Sequence, residues 1–269
     1  MQNAEMLNAH AHSVLHDALR YNPPVYRFFA PFDPGDEIVT LPRDEAEHLT
    51  RVLRIGVGDM VAVFDGRGHE CLARVTAATR RDVSLQVLSR LDPAAEPDVP
   101  ITLVQAVLKG EKMDDVVRDA VMLGAAAIQP IVSAHAEVTV AALMRGARLD
   151  RWRRVALASV KQSRRAVVPE IRTPLTIETY LEDPPAALRL MLVEPGAPVP
   201  AEPLSALRGD AVPADAVVLV GPEGGWTDQE CVAAREHGVR LVRLGHRTLR
   251  ADAVAIAAIS VLQFLWGDL

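Results

Sequence analysis

The chain is poor in cysteine, poor in aromatic residues and free of long apolar runs. Cys71 and Cys231 are its only two cysteines in 269 residues; they stand far apart, without C-x-x-C or Cys/His ligand spacing. That excludes a disulfide framework and a structural zinc site, no metal is expected, and a reducing cytoplasm fits. No apolar run approaches the roughly 20 residues of a membrane span. The first residues lack the basic and apolar regions of a secretory signal, so a cytoplasmic protein with no membrane partner is expected. Neither G-x-G-x-x-G after a strand nor G-x-x-x-x-G-K-S/T occurs, which removes the usual dinucleotide and P-loop fingerprints. The net charge of −6 argues against a bulk nucleic-acid coat but leaves room for a local basic face.

What is present is globular: 49% apolar and 24% charged residues, over a length that suits one large or two ordinary domains. Residues 1–24 read as an extension, expected to be poorly ordered. On a helix, its His12 and His16 would share a face beside His10, the geometry of a metal pair, but no acidic or cysteine partner accompanies them. Residues 25–92 alternate apolar and polar side chains in short runs, with the turn Asp65-Gly66-Arg67-Gly68 in a hairpin position. A small antiparallel β domain follows, interrupted by one helix from Arg43 to Leu53. The Pro-rich segment Asp92 to Pro100 reads as a connector. Residues 100–269 then switch to an α/β pattern: strand Ile101–Leu108, a helix with Met113, Val116, Val117, Ala120 and Val121 on one face, and strand Ile128–Val132. That order implies a parallel βαβ unit.

The stretch from Val217 to Glu230 organises this second domain. Four aliphatic residues make a short buried strand, Gly221-Pro222 and Gly224-Gly225 break it, and Thr227 with Glu230 forms a capping box that starts a helix. Further strands end at Val193 and Leu244, so three strand-end loops should converge on a cleft. Between Arg145 and Arg172 the chain carries nine Lys and Arg against two acids, a local balance of +7. Such single-sign charge repels itself unless something anionic meets it.

Val220-Gly221-Pro222-Glu223-Gly224-Gly225-Trp226, followed by Leu244-Gly245-His246-Arg247-Thr248-Leu249-Arg250, resembles the two signature loops of the RsmE-type 16S ribosomal RNA (uracil-N(3)) methyltransferases of the SPOUT superfamily. Lys109-Gly110-Glu111-Lys112-Met113, Leu123-Gly124, Gln162-Ser163-Arg164-Arg165 and Val168-Pro169-Glu170-Ile171 are similar to further blocks of that family. In the first domain Arg27-Phe28-Phe29, His48-Leu49, Val52-Leu53-Arg54, Gly58-Asp59 and Phe64-Asp65-Gly66 resemble its PUA-like RNA-binding module, a small β-barrel.

The resemblance implies a trefoil-knotted C-terminal domain, a homodimer, S-adenosyl-L-methionine as cofactor, and 16S rRNA of the small ribosomal subunit as partner. It places Val193, Glu194, Val220, Gly221, Pro222, Glu223, Gly224, Gly225, Leu244, Gly245, Thr248 and Leu249 around the cofactor. Backbone N–H and C=O groups of such loops can match an adenine edge without aromatic walls, which suits a chain with only 4% aromatic residues. Arg250 is expected to clamp a phosphate or the developing uracil anion, and Asp252 or Glu223 to serve as base. Arg27, Arg54, Lys109, Lys112, Arg164 and Arg165 are the expected RNA contacts. Where the family continues with Thr-Glu-Thr-Ala, this chain has Ala251-Asp252-Ala253-Val254. Met122 replaces a glutamate, His135 stands for an arginine, and Arg164 occupies a position where glycine is frequent. Two other readings share these features: a SPOUT-fold RNA-binding protein without turnover, and a methyltransferase acting on a different RNA site.

Overall fold

The computed structural model describes residues 25–182, 186 and 188–269. The extension with His10, His12 and His16 lies outside the described residues. Contacts divide the chain into two compact units, the first ending at Pro93 and the second beginning at Ala94.

The first unit is a curled sheet of β1 (Arg27–Phe29), β2 (Ile38–Thr40), β3 (Met60–Phe64), β4 (Glu70–Ala78) and β5 (Val83–Leu91), in the order β1-β3-β4-β5-β2. Alternation along β4 and β5 sends Cys71, Ala73, Val75, Val83 and Leu85 into a core with Phe28, Val61, Val63 and Leu49. The hairpin between β3 and β4 turns on Asp65, whose buried carboxylate accepts the backbone N–H of Arg67 (2.7 Å) and His69 (3.0 Å) and a bond from His69 Nδ1 (2.8 Å). Burial alone would raise the pKa of Asp65, but these donors together hold it below the usual carboxylate range.

Two features of this unit depart from the alternation-based reading. β1 runs parallel to β3, so the sheet is not purely antiparallel. The expected single helix from Arg43 to Leu53 is α1 (Arg43–Glu47) followed by a π-helical turn, His48–Val52. Thr50 Oγ1 donates back to the Ala46 carbonyl (2.8 Å) at that change of pitch.

The second unit is a parallel sheet with strands β6 (Ile101–Ala106), β7 (Ala127–Val132), β8 (Glu170–Ile171), β9 (Leu175–Thr176), β10 (Leu188–Leu192), β11 (Glu202–Pro203), β12 (Ala216–Val220) and β13 (Arg240–Arg243). Its order is β11-β13-β10-β12-β6-β7-β8, with β9 also on β7, and every pairing is parallel. Central strands covered on both faces need no polar alternation, hence the unbroken aliphatic run Ala216–Val220. The helices are α2 (Lys112–Met122), α3 (Val140–Arg145), α4 (Arg148–Ser163), α5 (Ile177–Leu181), α6 (Asp228–Glu236) and α7 (Ala251–Trp266). α2 buries the five residues its spacing selects, and packs against α4 and α7. On the other side α5 and α6 cover β10, β12 and β13 through Ile177, Tyr180, Leu181, Cys231 and Ala234.

The segment read as a connector is not loose. Val99 is buried, and Glu96 pairs with Arg165, whose guanidinium is only 4% exposed. Arg165 also donates to the carbonyls of Val121 (2.6 Å) and Ala125 (3.2 Å), closing the C-terminal end of α2. None of the described helices is long and apolar enough to cross a membrane.

Candidate functional site

β13, β10 and β12 lie side by side and run the same way, so their carboxyl ends release three loops at one edge of the sheet. Those loops enclose a cavity of about 230 Å³. Val193 and Glu194 line it from the loop after β10; Val220, Gly221, Pro222, Glu223 and Gly225 from β12; and Leu244, Thr248 and Leu249 from β13. Gly224 and Gly245 of the expected set do not face the cavity. Arg250 and Asp252, at the start of α7, and Lys112, at the start of α2, complete the wall.

The β12 loop is held from several directions. Trp226 Nε1 donates to the Leu192 carbonyl (2.9 Å), laying the indole against Gly221, where a Cβ would stand 3.1 Å from the ring. A Cβ at Gly224 would stand 2.9 Å from that of His135, so only a hydrogen fits there. His135 Nδ1 lies 3.1 Å from the Gly225 carbonyl, which can only accept, so Nδ1 carries the proton. Glu230 completes the capping box of α6, accepting the Thr227 N–H at 2.8 Å. Its other oxygen accepts the Ala134 N–H (2.8 Å), tying the loop after β7 to the same corner.

Four charged groups share one rim of the cavity. Lys112 Nζ donates to Glu223 Oε1 (2.7 Å), which also takes the Lys109 N–H (3.3 Å). Arg250 forms a fork on Asp252, Nε to Oδ1 at 3.0 Å and Nη2 to Oδ2 at 2.9 Å. The Arg250 bonds hold Asp252 below the usual carboxylate range. For Glu223, burial pushes upward but is outweighed by Lys112 and the backbone donors, so it too is lowered. Both are anions at neutral pH.

The expected RNA contacts divide. Arg54 and Arg164 are exposed, and each has a left-handed backbone, φ 56° and 62°. Lys109 pairs with Glu137 (2.6 Å), and Lys112 belongs to the cavity. Two placements correct the sequence reading. Arg27 forks onto Glu70 (2.8 and 2.9 Å) beneath the Phe64 ring, and its side chain is 11% exposed. Arg165 is the interior link described above. Both guanidiniums are engaged by protein groups and turned away from solvent, unlike the exposed Arg54 and Arg164. Sequence reasoning missed the parts of Trp226, Glu230 and His135 in fixing the loop; the capping box was the one signal that pointed to Glu230.

The chain is similar to known proteins over both units. The family described as "RNA methyltransferase domain" matches residues 95–263, and "RNA methyltransferase PUA domain" matches residues 41–88. A Synechocystis protein named ribosomal RNA small subunit methyltransferase E is 33% identical over 240 residues, 87% of this chain and 76% of its own. One of the same name from Mycobacterium tuberculosis is 32% identical over 235 residues, 83% of this chain and 86% of its own. A crystal structure of a ribosomal RNA small subunit methyltransferase E from Neisseria gonorrhoeae bound to S-adenosyl methionine superposes with a TM-score of 0.80 at 32% identity, covering 91% of this chain and 99% of that one.

Proposed function

The chain belongs to the RNA methyltransferase family that contains the ribosomal RNA small subunit methyltransferases E, and from that premise we propose how its own residues carry out the reaction. It is an S-adenosylmethionine-dependent rRNA methyltransferase. We infer that the accepting atom is N3 of a uridine in 16S rRNA, and that the enzyme works in the cytoplasm as a homodimer. Support for the dimer comes from α7, apolar from Ala253 to Ile259 and again at its end, yet leaving Phe264 65% exposed. The trefoil knot is inferred from the family in the same way.

The cavity at the ends of β10, β12 and β13 is the observation that carries this reading. Its residues fit the cofactor: Gly221 and Gly225 line the cavity without a side chain to fill it, and Trp226 closes one side. Val193, Val220, Leu244 and Leu249 offer apolar contact. When bound, the cofactor supplies an electrophilic methyl group on a positively charged sulfur.

The protein has to remove a proton from uracil N3 and hold the ring in line, with reacting atoms about 3 to 3.5 Å apart. Arg250 cannot take that proton, because a guanidinium stays charged. Its planar donors suit the carbonyl oxygens that flank N3, where negative charge grows as the proton leaves. If Arg250 turns to those oxygens, Asp252 loses its partner and becomes the stronger base of the pair. Glu223 holds two donors on one oxygen, Lys112 Nζ and the Lys109 N–H, and so positions the β12 loop against the start of α2. The substitution of aspartate for a longer carboxylate at position 252 is compatible with this role, since its side chain still reaches Arg250.

Transfer of label from S-adenosylmethionine into small subunits purified from cells lacking the modification tests the reading. Label in the RNA, abolished by filling the cavity with Gly221→Val, is expected. Cofactor binding without any transfer would leave an RNA-binding protein instead.

A further inference from the structure

The arginine-rich stretch singled out in the sequence takes no part in the cofactor cavity. In the structure its first part forms the end of α3, the Gly146-Ala147 turn and the first half of α4, and the rest continues through α4 to β8. Arg148, Arg151 and Arg154 recur at i, i+3 and i+6, one exposed row on α4, while Leu149, Trp152, Ala156 and Ser159 face the core. Arg151 meets the carboxylates of Glu111 and Asp114, and Arg153 that of Asp150. Arg145, Arg148 and Arg154 are exposed and have no ion-pair partner among the described residues.

The placement of Arg148 is electrostatically unfavourable without an anion. Arg145 sits at the C-terminal end of α3, where a cation is favoured, but Arg148 opens α4 at the positive end of its dipole. Position gives the charge a use. Arg151 binds Glu111 and Asp114, which bracket Lys112, and Lys112 pairs with Glu223 on the cavity rim. The loop leading into α3 is fastened to the same rim by Lys109 on Glu137 (2.6 Å) and by His135 on the Gly225 carbonyl (3.1 Å). The arginine corner and the mouth of the cavity therefore share one edge of the second unit.

We propose that Arg145, Arg148 and Arg154 grip backbone phosphates of the RNA strand flanking the target nucleotide, and so register that nucleotide over the cavity. The proposal rests on the RNA methyl-transfer reading and adds its docking surface. An RNA backbone fits better than a protein: among the described residues Met144 is the only large exposed apolar side chain on this corner, and protein interfaces centre on buried aromatic or apolar anchors. Arginine is the side chain suited to bidentate phosphate contact.

The test is RNA affinity as a function of salt, using protein-free 16S rRNA and intact small subunits as probes, for the full chain and for Arg145→Gln/Arg148→Gln/Arg154→Gln. With about 0.7 counterion released per phosphate on a single strand, the variant should show a log–log salt slope shallower by about 2 and affinity lowered roughly tenfold or more near 0.1 M salt. S-adenosylmethionine affinity should not change, KM for RNA should rise more than kcat falls, and the triple lysine variant should recover most of the slope. Equal affinity and slope would overturn the proposal. So would a loss confined to intact subunits, because the surface would then be reading a ribosomal protein. If the glutamine variant fails to bind cofactor, the single change Arg148→Gln decides: its slope should be shallower by about 0.7, and an unchanged slope overturns the idea. A wild-type protein that binds RNA but transfers no methyl group would sink the enzymatic reading while leaving the salt slopes to judge the arginines.

Discussion

Asp252 gives both of its oxygens to Arg250, so neither side chain can act on uracil until the pair opens. Asp252→Asn keeps the shape and removes the proposed base; kcat is expected to fall about 10²- to 10⁴-fold with cofactor affinity nearly unchanged, measured by single-turnover transfer and calorimetric titration. Arg250→Ala should cost about 10²-fold in kcat for a different reason, the loss of a donor aimed at developing charge. An unchanged rate in either variant would remove that residue from the mechanism. His135 makes a quieter prediction. Its ring bonds the Gly225 carbonyl, so His135→Ala should loosen the loop by about 1 kcal/mol, a several-fold weaker cofactor affinity at nearly constant kcat. Gly221, Gly225, Glu223 and Asp252 stand at the cavity where the sequence reading expected them, while Gly224 and Gly245 do not, because turn chemistry is local but which way a loop faces is not. The ring-to-carbonyl contact of His135 was not legible in the sequence, since it joins residues 90 positions apart.

At the scale of elements, the helix ends decide most. α4 stops at Arg164 in a left-handed conformation, φ 62°, the C-cap geometry in which a side chain is strained and glycine is not. That gives a physical reason for the glycine frequent at this position in the family. Arg164→Gly is expected to raise stability by up to about 1 kcal/mol in urea denaturation, and a loss of stability would contradict the strain argument. Arg165, the next residue, should behave in the opposite way. Arg165→Ala leaves Glu96 and the carbonyls of Val121 and Ala125 without their donor, at a cost of about 3 kcal/mol, read from the denaturation midpoint. Strand and helix positions in the second unit followed their periodicity closely, as buried parallel strands and amphipathic helices should. The basic blocks were harder to read. Arg27 and Arg165 look like their exposed neighbours in sequence, and only the carboxylates waiting 43 and 69 residues away show that they are internal.

For the whole molecule, pH reports on burial in both units. Asp65 is held below its ordinary 3.8, so its contribution to stability is complete above that value and is lost as the pH falls through the lower folded value. Burial pushes Cys71 and Cys231 from 9.0 up to about 11; their contribution is complete below 9.0 and is lost as the pH rises through about 11. Chemical denaturation across pH should therefore give a plateau between roughly pH 5 and 8, with falls on both flanks. A maximum inside that interval would mean that other groups dominate. Contacts divide the chain between Pro93 and Ala94, within the Pro-rich segment where the periodicity changes. The parallel pairing of β1 with β3 was not legible in the sequence, because three residues carry no record of strand direction.

The central proposal is one transfer: a methyl group leaves S-adenosylmethionine at the ends of β10, β12 and β13 and arrives on a ring nitrogen of uridine. Small subunits from cells lacking the modification, incubated with the protein and isotope-labelled cofactor, can be digested to nucleosides and resolved by mass spectrometry. The label is expected in 3-methyluridine and nowhere else. Label on a ribose oxygen or another base, or none at all while the cofactor binds, would contradict it.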